Sequence, residues 1–565
     1  MSSVGGNAAI VCHNLSFSWP DGTRVLDGLD VAFGPGRTGL IGVNGAGKST
    51  LLRLIAGQLQ PGAGTVATAG SVGYLRQDPA LDATASVASL LGVSERLAAL
   101  RAIEGGSAEQ ALYDAVGEDW DVEERARGWL DRLGLGHLKL NDPVRRLSGG
   151  EAVMTALAAL FLRRPAVLLL DEPTNNLDVD ARQRLYDAVA GWPGLMVIVS
   201  HDRELLSLVD QVADLSGGSV RMYGGNLAAY EALVATEQEA AERAVNAAQA
   251  DVRREKRDLV DSQVKQARRD RAGRKAATEG MPRIIAHARK RHAQETAGRI
   301  QGIHAGRLAA ARDRLASAQE AVRGDAEIRV DLPGTAVPAG RTVLRLNELA
   351  NGSWHPFAVP SGPVPDEPPP LAELIVRGPE RIALTGRNGA GKTTLLRILT
   401  GELDIGGQAV GPIALVPVGY LPQRLDVLDA TLSVAENVRL AAPSASPNEV
   451  RAGLARFLFR GPRADQPVAS LSGGERFRAV LAALRLATPP PQLLLLDEPT
   501  NNLDLASARQ LAQALDCYQG ALLVVSHDLP FLRSIGITRW LRLDRSGRLA
   551  QAEPPSPDRD RDLDG

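Results

Sequence analysis

Two nine-residue stretches carry the residues most able to do chemistry. They are Gly42-Val43-Asn44-Gly45-Ala46-Gly47-Lys48-Ser49-Thr50 and Gly386-Arg387-Asn388-Gly389-Ala390-Gly391-Lys392-Thr393-Thr394. The first follows an apolar strand pattern, Thr38 to Ile41, and runs into the periodic Leu51, Leu52, Leu54 and Ile55. Strand, glycine-rich loop and helix in that order let backbone N–H groups converge on phosphate oxygens. The positive end of the helix dipole adds to the attraction. Lys48 and Lys392 are placed to reach the phosphates, and Ser49 and Thr393 offer hydroxyls to a Mg²⁺ ion.

Each loop is followed by the same series. Gln77 ends Gly73-Tyr74-Leu75-Arg76-Gln77, and Gln423 ends Gly419-Tyr420-Leu421-Pro422-Gln423. Leu147-Ser148-Gly149-Gly150-Glu151 is echoed by Leu471-Ser472-Gly473-Gly474-Glu475. Apolar runs end in Asp171-Glu172 and Asp497-Glu498, each continued by Pro-Thr-Asn-Asn-Leu-Asp, and Ser200-His201-Asp202 matches Ser526-His527-Asp528. The chain is therefore an internal duplication. The offset is 344 at the lysines, 346 at Gln77 and Gln423, 324 at Ser148 and Ser472, and 326 at the acid pairs and histidines, so the first half holds about 22 extra residues between Gln77 and Ser148. They are expected in the helical stretch around 93–146.

The set of phosphate loop, Gln loop, LSGGE signature, acidic pair and following His resembles that of ATP-binding-cassette (ABC) ATPase domains. Two such domains around a basic helical linker resemble the ABC-F family. The resemblance implies an α/β fold with two P-loop nucleotide-binding domains, ATP and Mg²⁺ as ligands, and hydrolysis to ADP and phosphate. It implies that Asp171 and Asp497, with Ser49, Thr393, Gln77 and Gln423, hold the metal or its water shell. Glu172 and Glu498 polarise the attacking water, and His201 and His527 contact the γ-phosphate region. In the family the halves close head-to-tail on two ATP molecules. Site one is then Gly42 to Thr50 (Gly42, Asn44, Gly45, Ala46, Gly47, Lys48, Ser49, Thr50) with Ser472, Gly473 and Gly474. Site two is Gly386 to Thr394 with Ser148, Gly149 and Gly150. Trp19 fits the aromatic position on which the adenine stacks; by strand alternation its competitor Phe17 is a core residue. In the second half the equivalent region, Asn351 to Pro370, is a Pro-rich insertion with Trp354 and Phe357, and no stacking residue is assigned there. The first signature continues Ala152-Val153-Met154-Thr155 where the family usually has basic residues, whereas the second keeps Arg476 and Arg478.

Between the halves the composition changes. From Thr236 to Asp325 there are 20 Lys and Arg against 13 Asp and Glu; from Arg253 to Arg307 the count is 16 against 6. The whole chain has a net charge of −2, so the basic character is local. Val245, Val252 and Leu259, then Leu308, Leu315 and Val322, fall at heptad spacing on either side of Gly280-Met281-Pro282. That pattern predicts two long helices packed as an antiparallel hairpin, coiled-coil-like in its seam. Arg268, Arg269, Arg271, Arg274, Lys275, Arg283, Arg289, Lys290 and Arg291 cluster near the break and are candidates for contact with RNA phosphates. The expected organisation is a first ATPase domain at 1–235, the hairpin at 236–325, a second ATPase domain at 326–550 and a disordered tail at 551–565.

Two cysteines, Cys12 and Cys517, offer neither a disulfide framework nor metal-ligand spacing, which fits a reducing cytosol. No window of about 20 apolar residues is present. The family resemblance points to the ribosome, its rRNA and its tRNA as partners of the hairpin. It suggests protection against large-subunit antibiotics, with a housekeeping role in translation or ribosome assembly as the alternative. An exporter ATPase working with separate membrane chains leaves the basic hairpin without a use. A DNA-repair ATPase of the zinc-bearing kind needs cysteine pairs that this chain lacks.

Overall fold

The computed structural model describes residues 10–77, 85–175, 177–277, 299, 302–303, 305–319, 332, 334–347, 354, 371–403, 413–423, 427–471, 473–501 and 503–554. The first half supplies strands β1 (Ile10–Ser18), β2 (Arg24–Phe33), β3 (Arg37–Ile41), β4 (Ala63–Thr68), β5 (Val72–Leu75), β6 (Val167–Asp171), β7 (Leu195–Val199), β8 (Gln211–Ser216) and β9 (Ser219–Gly224). The second supplies β10 (Thr342–Asn347), β11 (Glu373–Arg377), β12 (Arg381–Thr385), β13 (Val418–Leu421), β14 (Leu493–Asp497), β15 (Ala521–Val525), β16 (Arg539–Leu543) and β17 (Leu549–Ala552).

Each half is built on one six-stranded sheet. The orders are β5-β6-β7-β3-β8-β9 and β13-β14-β15-β12-β16-β17, parallel except for the antiparallel last strand of each. A parallel sheet covered on both faces selects uninterrupted apolar runs. Val-Leu-Leu-Leu in β6 and Leu-Leu-Leu-Leu in β14 are such runs, and both strands are buried throughout. Consequently each sheet delivers an acid pair, a glycine loop and a histidine to the same edge: β6 ends at Asp171, β3 leads into Gly42, and β7 leads into His201. A second sheet, β2-β1-β4, flanks the first half, and its counterpart in the second is the pair β10-β11.

The first half is the longer because of its helices. Between β5 and the signature it has Val87–Leu91, Ser94–Glu104, Gln110–Val116 and Val122–Arg132, where the second half has Val434–Ala441 and Pro447–Arg456. The additional pair, Ser94–Glu104 and Gln110–Val116, accounts for the extra residues.

The two sheet-bearing halves form one compact unit, and Ala228–Ala326 a second. In the latter the helix Leu227–Ala277 runs for 51 residues, starting before Thr236, which corresponds to roughly 75 Å at 1.5 Å per residue. Residues 305–319 are also helical. Val245, Val252, Leu259 and Leu315 are half-buried and Leu308 is buried, so the heptad seam is shielded within this unit. Val322 and the break at Gly280-Met281-Pro282 lie outside the described residues.

Candidate nucleotide sites

The two phosphate loops have the same construction. Gly42 has φ +149° and a side chain there would run into the Leu215 carbonyl; Gly386, at φ +145°, meets the Leu543 carbonyl in the same way. Gly47 and Gly391 turn the chain into the helices Lys48–Ile55 and Lys392–Thr400 with φ of 99° and 94°. Only glycine enters that region without cost. Lys48 Nζ donates to the carbonyls of Gly42 (2.7 Å) and Val43 (3.2 Å), and Lys392 Nζ to those of Gly386 (2.6 Å) and Arg387 (3.2 Å). Burial lowers the pKa of both lysines, while Glu172, Asp504 and Asp171 oppose it at Lys48, and Glu498, Asp178 and Asp497 at Lys392.

The acid pairs sit at the strand ends, next to these lysines. Asp171 accepts the Ser49 hydroxyl at 3.0 Å and the Tyr74 hydroxyl at 3.0 Å. Asp497 accepts from Thr393, yet its Oδ2 is buried with no hydrogen-bond partner. A buried carboxylate oxygen aimed at nothing is costly unless a cation or its water shell completes it. The set Thr393 and Asp497, and likewise Ser49 and Asp171, therefore fits a hard, oxygen-ligated ion such as Mg²⁺. Gln77 lines the site cavity, and both Gln77 and Gln423 are exposed just past their strands.

Glu172 and Glu498 show a feature that no residue pattern announces. Both are in the left-handed region, at φ 48° and 46°. Glu172 N–H donates to the Val199 carbonyl at 2.8 Å, and Glu498 N–H to that of Val525 at 2.8 Å, which pins the strained backbone to the neighbouring strand. Burial pushes the Glu172 carboxyl up to about 8 and that of Glu498 to about 7, with Arg182 and Lys392 restraining the latter. A carboxyl poised near neutrality suits proton transfer from water.

His201 Nε2 lies 3.3 Å from Glu172 Oε1 and 3.2 Å from Asn44 Oδ1, so it faces two oxygens. His527 Nε2 lies 3.4 Å from Glu498 Oε1 but also 3.2 Å from Lys392 Nζ. The second site histidine thus has an ammonium beside it where the first has an amide oxygen. Burial lowers the pKa of His201 to about 3 and that of His527 well below 6.5.

A cavity of about 520 Å³ opens over the first loop. Trp19, Lys48, Gln77 and His201 line it from the first half, and Gly473 and Thr500 from the second. Phe17 is buried in the core, and its ring meets the Trp19 indole edge-on at 5.1 Å. The Arg53 guanidinium lies 5.8 Å from the same indole, leaving Trp19 half-buried at the cavity wall. Gly473 reaches the cavity, while Gly474 packs on the Ser507 side chain; Ser472 lies outside the described residues. At the other loop, Arg387 Nε is 3.7 Å from Asp180 Oδ2 of the first half. Trp354 is fully buried, and its indole N–H donates to the Leu371 carbonyl at 3.2 Å, so it is a core residue and no stacking platform. Phe357 lies outside the described residues.

In the first signature Ser148 and Glu151 form a capping box for the helix Gly149–Arg163, and His137 Nε2 holds Glu151 Oε1 at 3.0 Å. The Ser-x-x-Glu spacing was sufficient to foresee the cap. In the second signature Arg463 and Arg478 each approach Glu475 Oε1 at 3.8 Å. Of the basic residues, Arg268 and Arg271 are exposed on the long helix. Arg269, Arg274 and Lys275 belong to the same helix. Arg283, Arg289, Lys290 and Arg291 lie outside the described residues.

The chain matches the family model described as "ABC transporter" at residues 26–175 and 372–501. It is 35% identical over 538 residues to the tylosin resistance ATP-binding protein TlrC of Streptomyces fradiae, covering 90% of this chain and 92% of that one. It is 31% identical to the probable ATP-binding protein YheS of Escherichia coli K12, covering 93% and 77%. Among solved structures it is similar to an archaeal ribosome recycling factor, aABCE1, in complex with the stalk protein aP1. That match has a TM-score of 0.53 at 18% identity, over 95% of this chain and 89% of that one. The structure described as RNase-L Inhibitor gives a TM-score of 0.52 at 16% identity, over 97% and 96%.

Proposed function

The chain belongs to the ABC-F family of duplicated ATP-binding-cassette proteins, and from that premise we propose that it binds the ribosome and protects it from large-subunit antibiotics. Its cassettes bind and hydrolyse ATP. In this reading each ATP lies between one half's phosphate loop and the other's signature. Lys48 and Lys392 hold the phosphates, Asp171 and Asp497 hold the metal's shell, and Glu172 and Glu498 take the proton of the attacking water. Mg²⁺, when bound, neutralises charge on the transferring phosphoryl group. ATP closes the halves and hydrolysis releases them, in the cytoplasm.

The observation that carries the ribosomal destination is the segment from Arg253 to Arg307, with 16 cationic against 6 anionic residues in a chain of net charge −2. Such a segment is suited to RNA phosphates, whose counterions it displaces. The relative named for tylosin resistance favours protection over a housekeeping role in translation. Among the described residues no helix is long and apolar enough to cross a membrane. The test is sedimentation of the Glu172→Gln/Glu498→Gln protein through sucrose with ATP. Co-migration with ribosomes is expected; partition into membranes without ribosomes overturns the reading. A drug panel on an expressing strain then separates protection, seen as raised tolerance, from housekeeping.

A further inference from the structure

Arg182 lies in the first half's helix Val179–Ala190, just after the acidic-pair segment. Its Nε donates to the Leu177 carbonyl at 3.3 Å, and its Nη1 faces Asp202 Oδ2 at 3.4 Å. The same oxygen accepts the Tyr186 hydroxyl at 2.7 Å. The Arg182 and Asp202 side chains are only 12% and 7% exposed. Asp528, from the second half, lines the same cavity as Arg182 and Asp202. Burial pulls the Arg182 guanidinium down, but Asp202 from its own half and Glu498 and Asp528 from the other hold it above its ordinary value. Asp202 and Asp528 in turn repel each other across the boundary, and the charge of Arg182 relieves Asp528 more than that of Arg203 does.

Neither aspartate is free to retreat. Each directly follows one of the site histidines and caps the helix after it, accepting Leu205 N–H at 3.0 Å and Phe531 N–H at 2.9 Å. Two carboxylates fixed by caps therefore oppose each other where the halves meet. Aligning Asp178 with Asp504 sets Arg182 opposite Ala508, so the second half supplies no equivalent cation at this position.

We propose that Arg182 is a positioning residue that lets the two histidine-bearing loops meet, its single guanidinium shared between Asp202 of one half and Asp528 of the other. Closure of both ATP sites then leans most on this one unduplicated residue, in a cluster that also holds Arg203 and Arg533. This rests on the reading that ATP draws the halves together. Like charges held close without a counter-charge in a partly buried place disfavour the closed arrangement.

The test uses the full chain carrying Glu172→Gln and Glu498→Gln, with fluorophores on the two halves reporting closure as ATP is titrated. Adding Arg182→Ala is expected to raise the ATP concentration for half-closure by about tenfold or more, as loss of a shared buried cation does. Arg182→Lys should retain most of the closure. Asp528→Asn keeps a good helix cap while removing the charge, so Arg182→Ala/Asp528→Asn should recover part of the loss, which a merely structural role for Arg182 does not predict. If Arg182→Ala closes like its parent, or if Asp528→Asn gives no recovery, the role of Arg182 is overturned. If the parent itself never closes in ATP, the clamp reading falls and this inference with it.

Discussion

Asp504, which caps the helix Leu505–Asp516 of the second half, accepts the backbone N–H of Asn44 in the first half's phosphate loop at 3.2 Å. Its other oxygen accepts Ser507 N–H at 2.8 Å. Burial pushes the carboxyl up, but the hydrogen bonds from Ser507 and Asn44 outweigh it, and the net direction is down. One side chain thus fixes a helix start and a loop in the opposite half. Asp504→Ala should cost about 1–2 kcal/mol, combining a lost cap with a loop N–H left unmade. Asp504→Asn, whose amide oxygen still accepts, should cost less than half of that. Chemical denaturation midpoints check the order; equal losses in the two variants would show that the oxygen contacts are not what matters.

The glycines of the first loop differ in what constrains them. At Gly42 a Cβ runs into the Leu215 carbonyl, a backbone atom that cannot turn aside. At Gly45, with φ +85°, nothing lies within 4 Å, and only the backbone preference resists a side chain. Gly45→Ala should therefore cost about 1–2 kcal/mol of loop strain, while Gly42→Ala should displace the loop and abolish binding. Affinity for a fluorescent ATP analogue separates them: a modest weakening for the first, at least a hundredfold for the second. Equal affinities would contradict this account of the loop.

The phosphate loops, the acid pairs and the histidines were legible in the sequence because the chemistry fixes their residue types and each pattern occurs twice. The long helix was legible through its heptads, although it opens at Leu227, just after Gly224-Gly225-Asn226, and not at Thr236. Contacts between the halves were not legible. Asn44 and Asp504 are 460 residues apart, and which carboxylate meets which N–H is decided by packing. Trp354 carried no sign of its burial, since an aromatic in a Pro-rich stretch can face either way. The left-handed backbone at Glu172 and Glu498 left no trace, because Glu has no preference for that region.

The histidines predict a pH dependence of stability. His201 is held neutral down to about 3 by burial, and His527 shifts the same way. The unfolded chain takes up these protons near pH 6.5, so the folded state binds fewer between that pH and about 3. Stability is therefore complete above about 6.5 and is lost as pH falls below it. Glu172 acts with the opposite sign: its raised carboxyl contributes stability at low pH that is lost as pH rises through about 8. Comparing wild type with His201→Gln isolates the histidine. The variant's melting temperature should fall less between pH 7 and 5 than that of the wild type. Parallel falls would mean that His201 does protonate in the folded protein.

Strain at the two glutamates predicts a trade between stability and catalysis. A non-glycine residue in the left-handed region costs about 1–2 kcal/mol. Here it is held by the strand contacts to Val199 and Val525 and by the turns in which Asn175 N–H donates to the Glu172 carbonyl at 3.2 Å and Asn501 N–H to that of Glu498 at 3.1 Å. The reward is placement: the carboxylate leaves the strand end toward His201 or His527 rather than along the sheet. Glu172→Gly relaxes the backbone and removes the base. It should therefore stabilise the first half by about 1 kcal/mol while lowering hydrolysis at that site by about a hundredfold or more. Glu172→Gln removes the base and its titration but keeps the strain, so it should match the glycine variant in hydrolysis and lie about 1 kcal/mol below it in stability. Single-turnover phosphate release and denaturation curves on the three proteins decide the matter. A glycine variant no more stable than the glutamine variant would show that the backbone at position 172 stores no strain worth relieving.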